Sequence, residues 1–357
     1  IADMLKDKYE FLFLIPEEGL LSDELKKRRI LYRVIGSQTL PIGIKGKKAI
    51  FTYAAMSLRS IKRSMKAIRQ WKPDVLYAPG PAALPWSAVC GSLSHRPVVW
   101  HLHHLFLDGM TKKLLNMCSK WKSVKRIIAV SEVVGNQISN SKGHNKVRVI
   151  YNPVDVAKYE SGSAERVRPE FEKLLPTIKE EGSIVILHVA LIQRLKKQDK
   201  VLECVKILRD RGINACAIFA GECREADFKA EADKYIADNE LDNYVVFAGR
   251  RNDIPDLLKL ADVVPIIASF EGFPLAGLEA CAAGTPVVAA DVGGAKEFID
   301  VSGNGCTFEF DNAESMANSI LSCANRKKYY LQHGKSFALD STYEVYSKKI
   351  INIYDEI

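Results

Sequence analysis

Two carboxylates bracket an apolar stretch in the second half of the chain. In "EGFPLAGLEA" (271–280), Glu271 and Glu279 flank Gly272, Phe273, Pro274 and a run of helix formers. Pro274 suits the first turn of a helix, since its missing N–H would be unpaired there anyway. A helix that starts here turns the backbone N–H groups of Leu275, Ala276 and Gly277 outward, where a phosphate meets donors and the positive end of the helix dipole. Ala276 and Gly277 are small enough for close approach. Glu279, about a turn inside, can take both hydroxyls of a ribose, as acidic residues do in dinucleotide folds. Glu271, ahead of the helix, is left to face whatever the diphosphate carries. Each carboxylate alone has a plainer reading, as a charge favouring a helix N-terminus or a solvated side chain. The pair on one loop favours ligand chemistry.

Such a site needs elements to hold it. From residue 183 onward, apolar runs of strand length alternate with helical periods: "SIVILHVAL", "NACAIFAGE", "YVVFAGR", "DVVPIIAS" (262–269) and "TPVVAAD" are strands, with helices between. That is the pattern of a parallel sheet covered on both faces. Ligands bind beyond the carboxyl ends of such strands. The segments that follow them gather Arg194, Lys196, Lys197, Arg250, Arg251, Glu271, Glu279 and the Gly-rich turn "VGGAKE" on one edge, an anion site in the making. The first half repeats the theme through "YEFLFLIP", "LYRVI", "DVLYAP", "PVVWHLHH", "RIIAVS" and "KVRVIYN". The expected fold class is therefore α/β with two βα domains: 1–153, 154–340, and a C-terminal helix over 341–357 that packs back on the first. The Asn-Pro of "YNPVDVAKYE" marks the boundary. A Rossmann-like domain normally opens with a strand and a Gly-rich turn; neither is seen, and the first strand of the N-terminal domain is expected to be absent.

The bulk numbers agree with this reading. At 357 residues, 47% apolar and 26% charged, two soluble globular domains are the natural prior. No run of about 18 apolar residues offers a membrane span, and the opening residues are acidic where a signal peptide is basic. None of the eight cysteines forms a C-x-x-C pair and several sit in apolar runs, so a reducing cytoplasm is expected, with no disulfide framework or zinc site. The net charge of +8 hides an asymmetry: residues 1–150 carry 26 Lys and Arg against 10 Asp and Glu.

The segment "EGFPLAGLEACAAGTPVVAADVGGAKEFI" (271–299) strongly resembles the donor-site segment of retaining GT-B glycosyltransferases of family GT4, whose E-x7-E motif the two glutamates match. "VALIQRLKKQDKVLECV", "YVVFAGRRNDIPDLLKLADVVPIIAS", "RIIAVSEVV" and "VRVIYNPVD" extend the likeness over nearly the whole chain. The resemblance implies two Rossmann-like domains facing across a cleft. It also implies that Glu279 binds the nucleotide ribose, that the backbone from Gly272 and Phe273 to Gly277 holds the diphosphate, and that Glu271 contacts the donor sugar. Lys196 matches the phosphate-binding lysine. The arginine five residues before it is Leu191 here, a departure from the pattern, with Arg194 able to supply that charge from a shifted loop. Gly249 and Arg250 fall near the base, and in "WHLHH" (100–104) His103 best matches the histidine that touches the donor sugar. His188, inside an apolar strand, reads as a satisfied core histidine; His144 and His333 read as surface.

The implied reaction moves a sugar, with retention, from a nucleoside diphosphate sugar, UDP-linked being commonest in such proteins, to a glycan or lipid-linked acceptor. With no D-x-D in the chain, cationic side chains take the place of a metal, and no cofactor is called for. The basic segments 45–72 and 112–126 mix Lys and Arg with Phe51, Tyr53, Met56, Met65, Trp71, Leu114 and Trp121, which suits an anionic membrane surface at the cytoplasmic leaflet. The alternative is a solvated basic face with its apolar residues turned to the core. Nucleic acid is not expected as a partner, since no recognised module appears and the second half is acidic. Two other functions stay open on the same fold, a sugar-nucleotide epimerase and an inactive nucleotide-sugar-binding protein.

Overall fold

Runs of β-branched residues set the framework. In the computed structural model, which describes residues 1–36, 47–268 and 270–357, twelve strands form, every pair parallel: β1 (Leu12–Ile15), β2 (Leu31–Val34), β3 (Leu76–Ala78), β4 (Val98–Leu102), β5 (Val124–Ala129), β6 (Val147–Val149), β7 (Ile184–Val189), β8 (Ala215–Ala220), β9 (Val245–Gly249), β10 (Val264–Ile266), β11 (Val287–Ala290) and β12 (Gly305–Phe308). Parallel strands require crossovers, and helices supply them. Because helices then cover both faces, β4, β8 and β11 are buried along their whole length, which is why their sequences read as unbroken apolar runs.

The chain divides into two units, Ile1–Tyr151 with Glu344–Ile357, and Asn152–Tyr343. In the first, β1 pairs with β2 and the remaining strands run β3-β4-β5-β6. The last helix, Tyr343–Asp355, sets Tyr346, Ile350 and Ile353 against Val99 of β4 and Ile128 of β5.

In the second unit the order is β9-β8-β7 and β10-β11-β12. The two halves are joined where Ile186 bridges Val263 and the Leu187 N–H donates to the Val263 carbonyl at 3.0 Å. Strand order therefore runs one way from β7 to β9 and the other way from β10 to β12. The reversal lies between β7 and β10, the switch point at which open α/β sheets bind ligands. Beneath it, β8 and the helices Gln198–Asp210 and Ala313–Asn325 share one core of Leu202, Val205, Phe219, Met316 and Ile320. β12 belongs to no strand named from the sequence: its Gly-Cys-Thr-Phe lacks the β-branched run of its neighbours. Ser269, the last residue of the expected 262–269 strand, lies outside the described residues, as do Lys45 and Gly46 of the first basic segment.

Candidate functional site

The two loops that flank the switch point carry the residues of interest. The first follows β7. There a single 3-10 turn, Arg194–Lys196, ends at Lys197, whose φ of +54° is left-handed, and the Gln198–Asp210 helix begins. The second follows β10 and runs through Glu271 to Pro274. The helix then starts at Leu275 and ends at Ala283, capped by Gly284 with φ +80°. Pro274 is thus the residue before the first turn, not in it, a shift of one position from the sequence reading; its carbonyl accepts from the Leu278 N–H at 3.2 Å. The amides of Leu275, Ala276 and Gly277 still open the helix, where no intrahelical carbonyl lies ahead of them.

Across the switch point the loops are tied by charge. Lys196 Nζ lies 3.1 Å from Glu271 Oε2, both groups well over half buried. Arg194, expected to reinforce Lys196, turns the other way. Its guanidinium forks onto Glu231 of the Ala226–Asp238 helix, stacks over Phe228, and is more than half exposed. Lys197 is taken by Asp311 at 3.0 Å.

The Glu271 loop is built as a seat. Phe273 is buried and meets Phe298 edge-on at 5.6 Å, with Phe337 at 6.4 Å, so its side chain anchors the loop from below and leaves the backbone to face outward. The Gly294 N–H donates to the Glu271 carbonyl at 3.0 Å. A Cβ at Gly294 would stand 2.1 Å from the Gly272 carbonyl oxygen, so only glycine admits this approach. Gly277 corrects the sequence reading. A Cβ there would meet the Phe298 ring at 2.9 Å, so its small size serves packing beneath the helix and not approach by a ligand from above.

Glu279 is half-buried on the same helix. Burial raises its carboxyl above the ordinary range, against the smaller opposing pull of the Tyr159 hydroxyl and the Lys158 charge. Sequence reasoning did not single out Tyr159 or Lys158. They lie on the short helix Val156–Glu160, and no local spacing links them to a residue so far along the chain. Gly249 closes β9 with φ +65°, and its carbonyl accepts from the Gly221 N–H at 2.8 Å. Arg250 is exposed and makes no ion pair among the described residues, whereas Arg251 is held by Glu170 and Asp253 and belongs to the scaffold.

The histidines separate by environment. His188 on β7 is buried against Phe219, but its Nδ1 has no hydrogen-bond partner among the described residues, which differs from the satisfied core histidine that the sequence suggests. Burial, with the Lys196 charge adding to it, pushes its pKa down to about 3. In the first unit His103 sits just past β4, half-buried, with its ring 3.9 Å from that of His101. Burial, then His104, lowers it to about 4, so the imidazole is neutral at physiological pH. His101 is buried, hydrogen-bonded to the Tyr77 hydroxyl through Nδ1, and its Nε2 has no partner among the described residues. His144 and His333 are exposed.

The basic segments of the first unit also sort themselves. The helix Lys47–Trp71 buries Met65 and Ile68 beside Cys90 and Trp86, and Tyr53 donates to the Ala82 carbonyl. Met65 and Ile68 therefore serve the fold, while Leu58 on the same helix is exposed and Arg59, Lys62, Lys66 and Arg69 face solvent. The side chain of Phe51 lies outside the described residues. The second segment differs: Lys120, Lys122, Lys125 and Lys142 line a cavity of about 490 Å³ with no carboxylate among its lining residues, and Met110 and Met117 are more than half exposed on the Gly109–Ser119 helix.

Comparison with known proteins places these observations. Residues 171–336 match the family model described as Glycosyl transferases group 1, and residues 21–158 match Glycosyltransferase Family 4. The chain is 24% identical to N-acetyl-alpha-D-glucosaminyl L-malate synthase of Bacillus anthracis, over 65% of this chain and 58% of that one. It is 25% identical to the UDP-Gal:alpha-D-GlcNAc-diphosphoundecaprenol alpha-1,3-galactosyltransferase of Escherichia coli, over 76% of this chain and 71% of that one. The match thus spans under two thirds of the Bacillus anthracis relative. Among solved structures, Anabaena Alr3699/HepE in complex with UDP superposes with TM-score 0.80 at 22% identity, covering 100% of this chain and 94% of that one. A glycosyltransferase from Rickettsia africae superposes with TM-score 0.81 at 21% identity, covering 99% and 92%. At these identities the structural likeness shows the fold, two Rossmann-like domains of GT-B type.

Proposed function

From a chain that carries a Glycosyltransferase Family 4 domain followed by a Glycosyl transferases group 1 domain in a GT-B fold, we propose a retaining, metal-independent glycosyltransferase. The donor is a UDP-sugar and the acceptor a glycan or lipid-linked saccharide. The observation that carries this reading is the Lys196–Glu271 pair, 3.1 Å apart across the switch point and beside the opening amides of the 275–283 helix. A cation, helix amides and two carboxylates on one sheet edge suit a ligand with a pyrophosphate, a ribose and a hexose. UDP as the carrier draws support from the galactosyltransferase relative named for UDP-Gal and from the UDP-bound neighbour. A lipid-linked acceptor draws support from two relatives named for diphospho-undecaprenol substrates.

In this mechanism the departing diphosphate gathers negative charge on its oxygens. Lys196 and the amides of Leu275 to Gly277 stabilise that charge electrostatically. Arg194, bound to Glu231, has no part in it. Once the phosphate engages Lys196, Glu271 is released to the donor sugar, and Glu279 takes the ribose hydroxyls. Gly249 and Arg250 lie by the base. His103, neutral, can donate one hydrogen bond to the sugar. The acceptor attacks from the face the leaving group vacates, and a leaving phosphate oxygen takes its proton.

Incubation with UDP-sugars and a lipid-diphosphate saccharide tests the proposal. Release of UDP that depends on acceptor, unchanged by a chelator, is expected. An isomerised donor would make the protein an epimerase, and donor binding without turnover a binding protein.

A further inference from the structure

Away from the candidate site, two thiols face each other inside the second unit. Cys306 on β12 and Cys323 on the 313–325 helix bring their sulfurs to 3.1 Å, roughly 1 Å beyond a covalent S–S bond. Cys323 is fully buried, and its thiol points toward the Val287 carbonyl. Cys306 is half-buried and reaches solvent. The helix packs on β11 and β12, so the pair is held in place by a core already formed. The other six cysteines have no thiol partner among the described residues, and five of them are buried.

We propose that Cys306 and Cys323 form a peroxide-sensitive disulfide that staples the 313–325 helix to β12. The contact itself favours the chemistry. The contact with Cys323, with Ser319 and the Arg326 charge assisting against the opposing effect of burial, holds the Cys306 thiol below its ordinary range, while the same contact and burial push Cys323 up. Cys306 is therefore the attacking thiolate and Cys323 the resolving thiol. In the first step the Cys306 sulfur attacks hydrogen peroxide, the O–O bond breaks, a sulfenic acid forms and water leaves. In the second step the Cys323 sulfur attacks that sulfur, the S–O bond breaks, and the Cys323 proton departs with the hydroxide as a second water. The two thiols together lose two electrons, which the peroxide accepts.

Both cysteines fall in one tryptic peptide, 297–326, between Lys296 and Arg326, which makes the test direct. The full chain carrying Cys223→Ser, to remove the exposed lone thiol, is treated with hydrogen peroxide and digested. Expected are a loss of about two daltons on that peptide, protection of both thiols from alkylation, and reversal by dithiothreitol. The melting temperature of the oxidised protein should rise by roughly 5–10 °C, as closure of a loop of this length allows. With Cys323→Ala added, the same peptide should instead gain oxygen at Cys306. Retention of both alkylatable thiols in the Cys223→Ser protein, or gain of oxygen there without loss of the two hydrogens, overturns the proposal whether or not the Cys323→Ala variant folds.

Discussion

Lys196 and Glu271 neutralise each other across the switch point, so any diphosphate that uses Lys196 competes with that carboxylate. Two substitutions should then part company. Lys196→Ala is expected to slow transfer by about 10²-fold, as for loss of one transition-state donor, and to weaken UDP binding. Glu271→Gln is expected to slow transfer too, yet tighten binding of bare UDP several-fold, measurable by titration calorimetry, because the competing charge is gone. Equal losses of UDP affinity in both variants would refute the exchange. His188 offers a test of stability at the same scale. Its folded pKa of about 3 lies below the ordinary histidine value of about 6.5, so between those limits the unfolded chain binds the proton that the fold refuses. Acid therefore destabilises through this residue, and its contribution is fully restored only above about pH 6.5. His188→Phe removes both the titration and the Nδ1 that has no hydrogen-bond partner among the described residues. The melting temperature of the variant relative to the native protein should be higher at about pH 5 than at about pH 7.5.

The Glu271 loop depends on its neighbours more than on its own residues. Phe273 anchors it from below through Phe298, and Gly294, at the start of the Gly293–Ser302 helix, supports its backbone from the side. Gly294→Ala is the sharpest probe of that support. Its Cβ would press to 2.1 Å from the Gly272 carbonyl oxygen, which is backbone and cannot swing aside. The loop must shift, and UDP binding should fall even though no side chain that meets the ligand has changed. Retained UDP affinity in a folded Gly294→Ala protein, by thermal shift, would show that the loop does not hold the donor. In the sequence, the "VGG" turn and the 275–283 helix were both legible, the helix start to within one residue. The reason for Gly277 was not, because Phe298, which it packs against, lies on a separate helix and is chosen by tertiary packing alone.

Over the whole molecule, charge is divided between the halves: the first 150 residues are strongly basic and the remainder carries 25 Lys and Arg against 33 Asp and Glu. Among the described residues no helix is long and apolar enough to cross a membrane. The lysines around the 490 Å³ cavity and the exposed Met110 and Met117 are the features best suited to meet an anionic lipid surface. Sedimentation with phosphatidylglycerol vesicles should show binding at low salt that fades as salt rises toward 0.5 M or so, and the double variant Lys122→Glu, Lys125→Glu should lose it while binding UDP as before. Vesicle binding that survives both salt and the charge reversal would point to a different surface.

The sequence by itself determined the kind of fold and the chemistry on offer. Alternating apolar runs and helical periods dictate two parallel α/β units, because burial on both faces leaves no polar alternation to read, and the E-x7-E block marks one edge of the second sheet. Only the tertiary structure decided which charges work together. Arg194 and Lys196 differ by two positions in one turn, yet one reaches Glu231 and the other Glu271, a choice set by which helix each faces. Strand order placed the β7 and β10 loops side by side at the reversal of the sheet, and no local pattern encodes strand order, since it arises from crossovers that pack distant segments against a common core.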